Sequence, residues 1–199
     1  DKVLQWLNVK SNVKFTDRGS LDPHGRYIFV SNHPLGGLDG LIMISILGKL
    51  MGKIKFVVND LLLNVVPMRS LFVPVNKHGS MGREYGEMIH DAYASDSQIL
   101  YFPAGLCSRL INGEIKDLQW QKNFLKQAKR YNRDIVPVHF NGRNSNFFYR
   151  LAKIRKALGI KFNIEMIFLP DEMFRQKNST FDITIGTPIP ISTIDDSRT

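Results

Sequence analysis

The sequence predicts an α/β domain with a mostly parallel central sheet flanked by helices. Three observations carry that expectation: β-rich and helical runs alternate along the chain, several of the β-rich runs stop at Pro/Gly turns, and the length suits one core. At 199 residues the chain fits a single domain, residues 1–199, because two domains of this total length would each be small. Hydrophobic residues make up 43% and charged residues 23%, a globular composition that excludes a disordered chain.

The elements follow in order. Residues 26–31 form a β-rich run that stops at Asn32-His-Pro-Leu-Gly-Gly37, after which Asp39 opens an apolar helical run to Met51. Residues 54–58 read as a strand, 61–66 as a short helix or turn, 71–75 as a strand and 82–94 as a helix. Residues 98–102 read as a strand ending in Pro103-Ala104-Gly105. Residues 118–130 read as an amphipathic helix with Trp120, Phe124, Leu125 and Ala128 on one side. A strand over 135–140, a basic helix over 147–158 and two more β-like runs, 163–169 and 181–186, complete the pattern.

Lys and Arg total 27 against 18 for Asp and Glu, and the net charge of +9 implies an anionic partner. Anionic lipid headgroups and acidic carrier proteins both qualify. Nucleic acid is not expected as a partner, since no recognition motif or RNA-binding aromatic signature accompanies the charge. Cys107 is the only cysteine, so no intrachain disulfide can form and a reducing compartment is expected.

The chain opens at Asp1 without a methionine or a signal segment and reads as part of a longer protein, trimmed at its N-terminus. Its longest apolar stretch, residues 41–51, is interrupted by Lys49 and falls short of the roughly 20 residues that span a bilayer. Attachment to a membrane is therefore expected to be peripheral. The other histidines, His24, His78, His90 and His139, are scattered singly, and no metal site is expected.

In an open α/β sheet, reactive groups gather in loops beyond the carboxyl ends of strands. In Ser31-Asn-His-Pro-Leu-Gly-Gly-Leu-Asp-Gly40, His33 leaves a strand and Asp39 starts a helix, with Gly36 and Gly37 able to fold the chain back between them. Such a histidine can take the proton of a hydroxyl attacking a thioester, while the carboxylate sets its tautomer. The plainer alternative, a turn histidine and a helix N-cap aspartate, stays open on this string alone. A second loop, Phe102-Pro-Ala-Gly-Leu-Cys-Ser-Arg109, offers amides near Gly105 for an oxyanion and Arg109 for an anionic group. A turn with a surface arginine is its plainer reading.

The ordered blocks Asn32-His33 with Asp39-Gly40, Leu71-Phe-Val-Pro-Val75, Phe102-Pro-Ala-Gly105, Ile135-Val-Pro-Val138 and Ile185-Gly-Thr-Pro-Ile189 resemble the lysophospholipid (glycerolipid) acyltransferase family. The resemblance spans about residues 26–190 and implies that family's fold and acyl transfer to a hydroxyl, with His33 as general base and Asp39 orienting it. It implies no cofactor beyond a co-substrate, an acyl carrier protein or acyl-CoA thioester.

The chain departs from the family pattern in three places. Five residues, Pro34 to Leu38, stand between His33 and Asp39 where the family usually has four. The family's Phe-Pro-Glu-Gly-Thr-Arg-Ser block here carries Ala104, Leu106 and Cys107 in place of Glu, Thr and Arg. Asn76 stands near the position of another usual arginine, with Arg69 or Lys77 as replacements. The groups expected to hold glycerol phosphate are thus missing.

The Asn32-His-Pro-Leu-Gly-Gly-Leu-Asp-Gly40 and Phe102-Pro-Ala-Gly105 forms resemble the hemolysin-like branch, which includes O-acyltransferases of ornithine and glycine lipids. The resulting expectation is an O-acyltransferase acting on the hydroxyl of an N-acylated amino acid. The alternatives are a conventional lysophospholipid acyltransferase and a non-catalytic lipid- or carrier-binding module. Substrate contacts are expected at Asn32, Gly36, Gly37, Arg69, Gly105, Ser108 and Arg109. The acceptor is a lipid, the basic 147–158 helix an interfacial element, and the location the cytoplasmic face of the cell membrane.

Overall fold

The computed structural model describes residues 1–59, 66–75 and 83–195. Residues 61–65 of the short helix or turn expected over 61–66, the start of the 82–94 helix, and Asn76 and Lys77 lie outside the described residues.

The described strands run β1 (Lys10–Phe15), β2 (Tyr27–Ser31), β3 (Ile54–Asn59), β4 (Phe72–Val75), β5 (Gln98–Tyr101), β6 (Arg109–Ile111), β7 (Glu114–Lys116), β8 (Asp134–Asn141) and β9 (Thr180–Ile185). The helix α1 (Lys2–Trp6) precedes them, and between them lie α2 (Leu38–Met51), α3 (Arg83–Ala94), α4 (Asn123–Tyr131), α5 (Asn146–Ala157) and α6 (Leu169–Arg175). Seven strands form one sheet in the order β1-β9-β8-β2-β5-β3-β4. From β8 to β4 all pairs are parallel, and only the β8–β9 junction is antiparallel. The mostly parallel sheet is as the sequence predicts.

Burial follows this arrangement. Central β2, Tyr-Ile-Phe-Val-Ser, is buried at every position because helices cover both faces, whereas β9 alternates exposed and buried residues. On one face Phe29, Val136, Val138 and Phe140 pack with Leu38, Ile42, Met43 and Leu47 of α2. On the other, Ile28, Val30 and Ile135 pack with Ala92 and Tyr93 of α3 and Ala128 of α4. Because β2, β3, β4 and β5 run parallel, the loops after β2 and β5 emerge at one edge of the sheet.

Two expectations are corrected. The helix expected over 118–130 begins only at Asn123, and Trp120 lies before it with its indole N–H donated to Asp117. Hydrophobic periodicity does not register that local side-chain bond. The run 163–169 is a 3-10 turn, Ile164–Phe168, leading into α6 rather than a strand. Pro170 in the first turn of α6, with Asp171 and Glu172 beside it, suits a helix start, and the turn lets Glu165 point inward.

Candidate active site

His33 sits two residues beyond β2, and Asp39 lies in the first turn of α2. The N-cap of α2 is Gly37, so Asp39 is not the cap its position in the sequence allows. Its carboxylate is completely buried and points back at the loop. Oδ2 lies 3.0 Å from His33 Nδ1 and accepts the Leu35 N–H at 2.9 Å and the Gly36 N–H at 3.3 Å. Oδ1 accepts the Gly40 N–H at 2.8 Å.

The five-residue spacing is thus absorbed by a loop folded around the carboxylate it ends on. Gly36 makes the reversal possible: its φ is +79°, and a Cβ there would lie 3.0 Å from Leu169 and 3.1 Å from Cys107. Gly37 is extended, at φ −171°, and faces open space, so the reversal does not depend on it in the same way.

Burial pushes the Asp39 pKa up, but the His33 charge, the His33 hydrogen bond and the Leu35 and Gly40 amides outweigh it and hold the carboxyl below its ordinary range. An ionised Asp39 accepts a proton-bearing Nδ1, which leaves the lone pair of a neutral His33 on Nε2. Among the described residues nothing pairs with Nε2. The imidazole also stacks on Phe102, with ring centroids 4.3 Å apart and an interplanar angle of 25°. One nitrogen is therefore oriented and the other left for chemistry, the arrangement a general base requires.

The main chain of His33 is held as firmly as its ring. Its N–H is 3.2 Å from each oxygen of Asp117, and its carbonyl accepts the Ser108 N–H at 2.8 Å. Asp117 also accepts the Ser108 hydroxyl at 2.6 Å and the Trp120 indole N–H at 2.9 Å. Sequence reading passed over Asp117; its spacing from Trp120 within a polar stretch carries no signal that distinguishes it from a surface turn.

The other expected contacts are placed variously. Asn32 pairs with the backbone of Phe140 through both side-chain ends, Nδ2 to the carbonyl at 2.9 Å and Oδ1 from the N–H at 2.7 Å, which ties the His33 loop to β8. Ser108 is buried in the clamp just described. Gly105 has φ +64° and its N–H closes a turn on the Phe102 carbonyl at 3.0 Å, so that amide does not face an oxyanion as expected.

Arg109 is not a surface anion contact. It is buried, reaches the Cys107 carbonyl at 2.6 Å and Glu165 Oε1 at 3.0 Å, and lies over the Phe148 ring. Arg155 Nε approaches the other Glu165 oxygen at 2.9 Å, so two arginines share one buried carboxylate and the trio keeps one net positive charge. Arg69 is corrected too. It is exposed in the 3-10 turn Val66–Leu71 that enters β4, and so stands at the sheet edge opposite the His33 loop. Cys107 is fully buried, and burial pushes its thiol up to about 11, which leaves no reactive thiolate.

Comparison with known proteins bears on the whole chain. Residues 8–198 match the model of a family described as acyltransferase. Two proteins named lyso-glycine lipid O-acyltransferase, from Bacteroides thetaiotaomicron and Phocaeicola vulgatus, are each 49% identical over 200 residues, covering 100% of this chain and 73% and 71% of theirs. A crystal structure of the 1-acyl-sn-glycerophosphate acyltransferase PlsC from Thermotoga maritima superposes with a TM-score of 0.54 at 17% identity, over 98% of this chain and 67% of that one. That likeness is one of fold.

Proposed function

The chain belongs to the acyltransferase family, and from that premise we propose that it moves a fatty acyl group from a carrier thioester to the hydroxyl of an N-acylated amino acid, in the making of glycine or ornithine lipids. The observation that carries the reading is the 3.0 Å contact between His33 Nδ1 and the buried Asp39 carboxylate, in a chain half identical to two lyso-glycine lipid O-acyltransferases. A retired binding module has no need of an ionised carboxylate buried against a histidine, because burying that charge is costly. A conventional lysophospholipid acyltransferase is the less favoured alternative.

In the proposed mechanism His33 Nε2 takes the proton of the acceptor hydroxyl as its oxygen attacks the thioester carbonyl carbon. Asp39 holds Nδ1–H and stabilises the imidazolium. When the tetrahedral intermediate collapses, the C–S bond breaks and the imidazolium returns its proton to the leaving thiolate. The products are an ester and the free carrier thiol. No enzyme nucleophile is required, in keeping with an inert Cys107.

The donor is an acyl carrier protein or coenzyme A thioester, and the chain works peripherally on the cytoplasmic face of the membrane. No helix among the described residues is long and apolar enough to cross a bilayer. Phe147, Ile154 and Leu158 on and just after α5 and Phe162 and Ile167 beyond it are exposed, with exposed Arg150, Lys153 and Lys156 beside them, a mixture suited to anionic lipid. Arg155 is excluded from that surface by Glu165. Unchanged vesicle binding after Arg150, Lys153 and Lys156 are each reversed to Glu removes this part.

The test of the activity is acyl transfer from acyl carrier protein to lyso-glycine lipid, lyso-ornithine lipid and lysophosphatidate, comparing wild type with His33→Ala. The expected result is transfer to an amino-acid lipid that falls by about 100- to 10,000-fold in the variant. Equal activity in His33→Ala would end the mechanism, and transfer to lysophosphatidate alone would move the reading to the conventional enzyme.

A further inference from the structure

A pocket of about 500 Å³ is lined by the residues on either side of His33, Asn32 and Pro34, together with Asp117, Trp120, His139 and Arg143. Asn32 and Pro34 flank His33 in the chain, so the pocket begins one residue from the general base. We propose that this pocket binds the acceptor's terminal carboxylate and that Arg143 is its ligand. The proposal rests on the reading of the acceptor as an N-acylated amino acid and adds the residue that recognises it.

The segment bearing Arg143 is stitched to the His33 loop. Asn144 Nδ2 donates to the Pro34 carbonyl at 3.3 Å, Phe140 pairs with Asn32, and the Arg143 carbonyl accepts from Gln176 Nε2 at 3.1 Å. The Arg143 guanidinium is exposed, lies 6.0 Å from the Tyr149 ring centroid, and donates through Nη2 to Asn146 Oδ1 at 2.5 Å. Among the described residues Nε and Nη1 have no acceptor. A fork already oriented by a ring and one hydrogen bond loses little freedom on gripping a carboxylate.

Arg143 differs in this from the other cations nearby. Arg109 is buried and paired with Glu165, and Lys116 lies 3.5 Å from Glu114. The pocket also holds a carboxylate. Asp117 shares the lining, and although its oxygens already take the His33, Ser108 and Trp120 donors, it keeps a negative charge. Attraction to Arg143 and repulsion from Asp117 both scale with the charge on the ligand, so preference for a carboxylate rests on the fit of the planar guanidinium fork to a planar carboxylate. In an N-(3-hydroxyacyl)glycine the hydroxyl and the carboxylate are separated by about two residue lengths, roughly 7 Å, so the proposal requires the carboxylate site to lie within that reach of His33.

The experiment uses the full chain with N-(3-hydroxyacyl)glycine and the matching glycinamide, which keeps the hydroxyl and loses the charge. Arg143→Gln should raise KM for the carboxylate acceptor by about 10- to 100-fold, leave kcat near wild type and leave the glycinamide reaction unchanged. Arg143→Lys should restore part of the loss. Arg143 is exposed, so folding is not at stake. A variant that keeps the wild-type preference for carboxylate over amide overturns the pocket while leaving acyl transfer to amino-acid lipids intact. A wild type that acylates lysophosphatidate and neither glycine acceptor overturns the functional reading and the pocket with it.

Discussion

Asp117 accepts the main-chain N–H of His33 with both carboxylate oxygens, each at 3.2 Å. The residue that orients the imidazole and the residue that holds its backbone are therefore different aspartates on different segments of the chain. Asp39 fixes the ring and Asp117 fixes the peptide from which the ring hangs.

Removing the second clamp should leave the chemistry present but misplaced. Asp117→Ala is expected to lower kcat by up to about 100-fold with KM nearly unchanged, since displacement of a catalytic group by about an ångström has effects of that size. Asp117→Asn keeps one carbonyl acceptor and should fall between. Nitrogen chemical shifts of the His33 ring separate the two roles: the Nδ1–H tautomer, which Asp39 sets, should persist while kcat falls. Wild-type turnover in Asp117→Ala would show that Ser108 alone holds His33.

Asp39→Asn preserves shape and removes charge. An amide cannot stabilise the imidazolium and favours the wrong tautomer, an exchange that costs about 10,000-fold in a comparable histidine–aspartate pair. Steady-state kinetics near neutral pH should show a loss of that order in kcat, with the circular dichroism spectrum preserved. A loss below about tenfold would mean that Asp39 is a loop-folding residue and nothing more, since acid–base assistance itself is worth at least about 100-fold.

The same carboxylate links stability to acid. Its folded pKa lies below its ordinary value of 3.8, so the native state binds its proton less readily than the unfolded chain does. Asp39 therefore contributes stability that is fully present above the ordinary carboxylate pKa and is lost as pH falls through the folded one. Denaturant melts taken from pH 5 downward should show wild type losing stability below about pH 4, with a shallower acid limb in Asp39→Asn. Parallel acid limbs in the two proteins would contradict a depressed Asp39.

Gly36→Ala tests the loop. A side chain at φ +79° is strained, and its Cβ would press on Leu169 and Cys107. A destabilisation of about 1–3 kcal/mol is expected, together with lower kcat, because the Gly36 N–H is itself an Asp39 ligand. Gly37→Ala, extended and facing open space, serves as the control and should change neither by much.

Much of this protein was legible before any coordinates. The alternation of strands and helices predicts the parallel sheet, because a strand buried on both faces must be apolar throughout, as Phe29 and Val30 in β2 are. The His33–Asp39 pairing was legible as well, since both residues lie within one short loop and a glycine between them permits the reversal. Local chemistry of that kind is written in consecutive residues.

What the sequence left open depends on residues far apart in the chain. Arg109 read as an anion contact because its partner Glu165 is 56 positions away, and Asp117 was invisible because its partner is the backbone of a residue 84 positions earlier. Arg69 followed the opposite course, since only the direction of β4 reveals which sheet edge it occupies. Residue types and local spacing determined the fold class and the His33–Asp39 contact. Whether a charged side chain is spent inside the protein or left for a substrate was decided by tertiary structure alone, because a buried charge must find its partner wherever the fold brings one within reach.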